Sequence, residues 1–412
     1  MAFGIALSGI SAAQTDLDVT ANNIANSETT GYKESRTEFS ELFSTSLQGV
    51  SSLQPGNGVR VSRIAQQFSQ GNIQTSSNSL DMAINGSGFF VVSDGGALQY
   101  TRAGNFTPDA NGVVVNANGQ RLQAYPALNN GAFNTSTMGD LQIQTNQSAP
   151  SATTSAQTIF NLPANAAQPT NATFDPADAS SYNNATSVTV YDSLGAAHTS
   201  TLYFVKTATA NQWQTRLYVD GTAVGTGTPA VFTQNLAYSA AGALTSPVGG
   251  QVNFGTYTPT TGANPLNINF DFSKTSQYGN SFGVTSVSQN GYTTGQLTGI
   301  TVDPSGVVQA NFTNGQSTSL GQVALVNFAS PQSLQKVDGT NWVETFGSGQ
   351  PVLGSSGASG FGSLQSGATE ASNVDVTKQL VNMIVAQRNY QANAQMISTE
   401  KSITETIINM AR

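Results

Sequence analysis

Few residues in this chain could do acid–base or nucleophilic chemistry. The 412 residues include no Cys and one His, which excludes thiol chemistry, disulfides and any Cys/His-clustered metal site within one chain. A Ser-His-Asp arrangement would have to use His198, which follows Gly195-Ala196-Ala197 between two β-like runs, the setting of a surface or capping histidine. Asp175 and Asp178 form a close carboxylate pair, but their Pro/Ala/Asn-rich surroundings read as a connector. Gly357, Gly360 and Gly362 lie in a Gly/Ser stretch that reads as a flexible hinge, without the strand-to-helix setting of a phosphate loop. No catalytic, cofactor-binding or metal site is therefore expected. The net charge of −8 argues against a phosphate-neutralising surface, so no nucleic-acid partner is expected.

The elements that would position any site fall into three textures. The two ends read as helices. Phe3, Ile10, Leu17 and Ile24 recur every seven residues, with Ala6 and Ala13 between them, as in a short coiled-coil seam. Ser27 to Gly31 is turn chemistry and should stop that helix near Asn26. At the other end Val376, Met383, Tyr390 and Ile397 repeat the spacing, with Leu380, Ile384 and Ile407 widening the stripe, behind an Asn373 or Asp375 cap. Between Leu122 and Gln335 only ten residues are charged, and strand patterns dominate. Leu266, Ile268, Phe270 and Phe272 alternate with polar residues, and Asp192 to Gly195 and Asp220-Gly221 are turn signals. Residues 149–184 read as irregular. Asp109 to Val114 echoes Asp303 to Val308, either as similar turns or as two halves of one split domain. The expected fold is mainly β with α-helical termini. The terminal helices form a coiled coil (1–26 with 372–412), 27–70 is an extended linker, and 71–146 with 290–371 makes an inner β domain. An outer antiparallel β domain of barrel or sandwich type, 147–289, is inserted in the inner one. No stretch is long and apolar enough to span a membrane, and the start lacks the basic n-region of a cleaved signal peptide.

Three segments carry a resemblance. Ala21-Asn22-Asn23-Ile24-Ala25-Asn26 through Gly31-Tyr32-Lys33 resembles the N-terminal motif of bacterial flagellar rod and hook proteins. Asp81 to Phe90, with Gly86, Gly88 and Phe89, followed by Tyr100 to Phe106, is similar to their internal motif, and Gln387-Arg388-Asn389-Tyr390 to their C-terminal helix motif. The length and large insert resemble the hook members rather than the shorter rod members, as do Gly321 to Leu325 and the final Met410-Ala411-Arg412.

The resemblance implies a structural homopolymer, not an enzyme: a curved hollow helical tube acting as a universal joint between rod and filament. The implied partners are many copies of itself, a hook cap, the distal rod protein, a hook–filament junction protein and the flagellar type III export apparatus. The implied location is the extracellular flagellum, reached without a cleaved signal. The two helical stripes would form the inner tube. A monomer with those stripes unsatisfied should have disordered ends that fold on polymerisation. A distal rod protein or a secreted β-rich adhesin are the alternative readings.

Overall fold

The computed structural model describes residues 2–42, 56–128, 131–143, 147–226 and 232–410; the expectations placed on 43–55 and on Ala411-Arg412 lie outside them. The fold is mainly β with one long helix at each end, α1 (Ala2–Ala25) and α2 (Val376–Met410), in contact with each other. The chain divides into two compact units, one of residues 1–145, 299–311 and 317–412, the other of residues 146–298 and 312–316.

In the first unit the helices pack antiparallel, Asn23 meeting Gln379 and Gly9 lying against Asn393. On the two helices Ala6, Ala12, Ala13, Thr20, Asn23, Gln379 and Ala386 are buried, and Gly9 leaves no room for a Cβ against the Asn393 side chain. The missing side chain of Gly9 lets the helices approach there, and the large apolar residues stay half-buried or exposed. The segment expected as a linker contains an antiparallel hairpin of β1 (Ser35–Glu41) and β2 (Val59–Gln66), which packs on α1.

The body of this unit is one sheet assembled from distant parts of the chain. Its strands run in the order Val307–Phe312, Ser317–Val323, Arg121–Pro126, Phe89–Asp94, Ala97–Thr101 and Asn341–Val343. Phe89, Tyr100, Phe328 and Trp342 fill the core beneath it, with Phe68 edge-on to both Phe89 and Trp342 at 5.3 Å.

In the second unit two sheets enclose a common core containing Phe160, Phe204, Trp213, Phe254 and Phe272. The alternation read at 266–272 buries Leu266, Ile268, Phe270 and Phe272 as expected. Two expectations need correction. Within 149–184, Ser155–Pro163 is a nine-residue strand, because Ala156, Thr158, Phe160 and Leu162 alternate inward among the polar residues that disguised them. That strand pairs in parallel with Leu266–Asp271 and Ser276–Tyr278, so its sheet is mixed, although Gly283–Gln289 pairs with it antiparallel.

The echo between 109–114 and 303–308 is one turn used twice. Each Asp carboxylate accepts the backbone N–H groups two and four residues on, and Gly112 and Gly306 adopt φ of 77° and 84°. Asp192 closes the same turn in the second unit, with Gly195 at φ 83°. Turn chemistry sets the likeness, and both copies also fall in one compact unit whose two halves flank the second in sequence, as the split-domain alternative has it.

Candidate assembly site

The N-terminal motif is a set of contacts that ends α1 and turns the chain into β1. The Asn23 side chain bridges Ser35 from both sides, donating to its carbonyl (2.8 Å) and accepting its N–H (2.9 Å). The Tyr32 hydroxyl donates to the Asn22 and Asn23 amide oxygens at 2.9 and 3.1 Å. Asn26 donates back to the Asn22 carbonyl and accepts from the Thr29 hydroxyl. Gly31 sits at φ 71°, where a Cβ would strike the Arg102–Ala103 backbone, so both its conformation and its surroundings require glycine.

Lys33 then enters a buried charge node that sequence reasoning did not anticipate. Glu370, fully buried, accepts Lys33 Nζ (2.6 Å), Arg102 Nη1 (3.2 Å) and the Gly71 N–H (2.8 Å). Lys33 also donates to the Ser69 carbonyl, and Arg102 to the Gly86 carbonyl (2.7 Å) while its guanidinium lies 5.4 Å from the Phe89 ring. Burial depresses the pKa of both cations, against the opposing pull of Glu370. The internal motif thus has a physical meaning. Gly86 and Gly88, at φ 115° and 122°, turn the chain so that a carbonyl meets Arg102, and Gly104 allows the Met82 carbonyl to come close. Two signals in the sequence pointed here: Lys33 is the first basic residue of the chain, and Glu370 is the sole acid between Glu344 and Asp375.

The node lies where α2 begins. Of the two proposed caps, Asp375 is the one used, accepting the N–H groups of Thr377 and Lys378. Asn373 instead ties the strands together, accepting the Glu34 N–H and donating to the Gln67 carbonyl. Gln379, buried, donates to Glu34 at 2.7 Å.

Beyond this base the proposed interface residues are exposed or half-buried in the single chain. On α1, Phe3 is 52% exposed and Ile10, Leu17 and Ile24 are half-buried. On α2, Val376, Leu380 (48%), Ile384 (49%), Tyr390 and Ile407 (57%) are exposed, while Met383 and Ile397 are half-buried. Arg388 and Asn389 are also exposed, and Arg388 has no ion-pair partner among the described residues. The structure brings Asn22, Asn23, Asn26, Gly31 and Tyr32 together in the base. It places Gly86 and Phe89 beside Arg102, and Gly88 near the Val326 carbonyl and the Phe361 ring.

In the second unit, His198 is neither a surface nor a capping residue. It is buried, with Nδ1 2.6 Å from Asp220 and Nε2 3.2 Å from Asp192. Thr261 donates to Asp192 and Tyr257 to Asp220. Burial works against a charged ring, but the two carboxylates outweigh it and raise the His198 pKa. With both ring nitrogens engaged, neither is free to activate a hydroxyl. Asp175 and Asp178 cap local turns through Ala177 and Ser180. The glycine-rich stretch read as a hinge is pinned, because Gly362 donates to the Ser87 carbonyl and Ser363–Ser366 pairs with Met82–Asn85. Among the described residues no helix is long and apolar enough to cross a membrane.

The comparisons agree along the chain. Residues 3–33 match the flagella basal body rod protein family and 83–157 the flagellar hook protein FlgE/F/G D1 domain. Residues 161–292 match the flagellar basal body protein FlaE D2 domain, and 365–410 the C-terminal family of flagellar basal body rod FlgEFG proteins. The flagellar hook protein FlgE of Salmonella typhimurium is 38% identical over 416 residues, covering all of both chains. That of Escherichia coli K12 is 38% identical over 418 residues, again over both full lengths, and that of Treponema pallidum 33% over 464, covering 98% of each. A crystal structure of Helicobacter pylori flagellar hook protein FlgE2 shares the fold with a TM-score of 0.52 at 16% identity, over 71% of this chain and 99% of that one. With its buried base, its paired terminal helices and full-length likeness to these proteins, the chain belongs to the flagellar hook protein FlgE family.

Proposed function

We propose that the chain is the structural subunit of the flagellar hook, polymerising into a curved hollow tube that joins rod to filament. The observation that carries this reading is the apolar face the terminal helices leave open. The fully buried apolar residues of the two helices are alanines, while Phe3, Leu380, Ile384 and Ile407 stand about half exposed. Such residues are satisfied by neighbouring copies. We assign the inner-tube contacts to Phe3, Ile10, Leu17 and Ile24 of α1 and to Val376, Leu380, Met383, Ile384, Tyr390, Ile397 and Ile407 of α2. Fully burying eight of these eleven side chains releases on the order of 12–24 kcal/mol gross, before the entropy of ordering both helices. The cap, distal rod, junction and export partners, the extracellular site and the absence of catalysis follow from the same reading.

The near-absence of charge across 122–335 supports sliding, wet contacts between outer surfaces, which a bending tube needs. Electron microscopy of the purified protein under mild precipitating conditions tests the assignment. Curved tubes are expected. Straight tubes would indicate a rod subunit, and no polymer would overturn the reading.

A further inference from the structure

Lys336 is a half-buried cation without a matching anion. Its Nζ lies 4.6 Å from the centre of the Tyr32 ring, and among the described residues no carboxylate comes within ion-pair distance of it. It lines a cavity of about 360 Å³ whose wall includes Asn22, Asn26, Thr29, Asn105, Asn118 and Thr340. No Asp or Glu lines that cavity. On its other side Lys336 lines a groove of about 420 Å³ with Asp18, beyond ion-pair range. Burial lowers the Lys336 pKa, as expected of an ammonium short of compensation.

The wall chemistry selects a ligand. Amide and hydroxyl groups around one ammonium favour an acceptor-only anion, and a carboxylate satisfies both the charge and the donors. A half-buried charge is costly to leave unpaired, so the missing partner is best supplied on assembly. The chain itself is the richest source, with 22 acidic against 14 basic residues. Asp18 and Glu28 are exposed acids of the same unit that have no cation within ion-pair distance among the described residues. We propose that the Lys336 cavity receives a carboxylate side chain from a second copy of this chain, forming an inter-subunit ion pair at the base of the helices. This rests on the polymer reading above.

The test is zero-length carbodiimide coupling, which joins an amine to a carboxylate only where the two touch. It is applied to assembled tubes and to monomer, using mixed isotope-labelled and unlabelled copies, with mass spectrometry of the linked peptides. The expected product is an amide between Lys336 of one copy and an Asp or Glu of the other, present in tubes and absent from monomer. Lys336 unlinked in tubes, as when a free anion fills the cavity, would overturn the proposal. So would a link within one copy, to Asp18 for example. Separately, Lys336→Gln should raise the critical concentration for assembly about tenfold and Lys336→Arg should restore it, with the monomer's unfolding midpoint not lowered in Lys336→Gln, since the unpaired charge is gone. An unchanged critical concentration for Lys336→Gln counts against the pair. If the wild type forms no tubes at all, the polymer reading fails and this proposal falls with it.

Discussion

Replacing Glu370 with Gln keeps the shape of the buried node and removes its only anion. In the native chain Lys33 and Arg102 are nearly sealed from water and share that one carboxylate. Glu370→Gln leaves two buried cations facing a neutral amide. Lys33→Met does the opposite: it leaves Glu370 paired with Arg102 and the Gly71 N–H, a neutral set, and loses the bond to the Ser69 carbonyl. Removing one partner of a buried pair costs about 3–5 kcal/mol when a charge is stranded. Glu370→Gln should therefore cost about 3–5 kcal/mol, and Lys33→Met only about 1–2 kcal/mol, near the worth of its hydrogen bonds. The two tryptophans make the assay specific. Trp342 lies in the core of the unit that holds the node and Trp213 in the other. Urea unfolding followed by Trp342 fluorescence in a Trp213→Phe background reports the relevant unit alone. The reasoning fails if Lys33→Met is the more damaging change, or if both cost less than about 1 kcal/mol.

Other consequences can be measured with the same tools. Gly31→Ala forces a positive φ on a residue with a Cβ and drives that Cβ into the Arg102–Ala103 backbone; a loss of more than about 2 kcal/mol is expected in urea unfolding. The His198 cluster makes the second unit sensitive to pH. The raised His198 pKa means its contribution is full below the ordinary value near 6.5 and is lost as pH rises through the folded value. Burial of Asp192 opposes its charge, but bonds from Thr261, the Ala196 N–H and His198 hold its pKa to about 2, so that contribution survives acid until pH falls toward that value. The thermal midpoint followed by Trp213 should decline on the alkaline side in wild type and stay flat in His198→Gln; parallel profiles would show that the ring carries no charge. Asp375→Ala should cost α2 about 1 kcal/mol by stranding the Thr377 and Lys378 N–H groups, seen as faster hydrogen exchange across 377–380. In the free subunit, hydrogen exchange across residues 2–25 should be fast, because the only fully buried apolar residues of α1 are alanines and its large ones stay partly exposed; strong protection there would mean that α1 folds before assembly.

The sequence by itself determined the periodic and local features. Sevenfold spacing marked both helices, strict alternation marked the strand at 266–271, and Asp-x-x-Gly marked turns whose geometry one carboxylate and one positive φ suffice to set. These signals reside in neighbouring residues, so they can be read without a fold. The motifs around Asn23, Gly31 and Gly86 were visible as a resemblance, but what they do was not. Ser155–Pro163 was hidden because half of its inward residues are Ala and Thr, which pack well in a core yet look like connector in a list. His198 looked superficial because its carboxylates are six and twenty-two residues away. Tertiary structure alone decided the Glu370 node, since Lys33 and Glu370 lie 337 residues apart and nothing local says that a lone acid near one end meets the first base near the other. It also decided how much of each stripe is covered: a heptad repeat shows that a helix has an apolar stripe, but in the single chain only its alanines are fully buried and the large residues are half-buried or exposed.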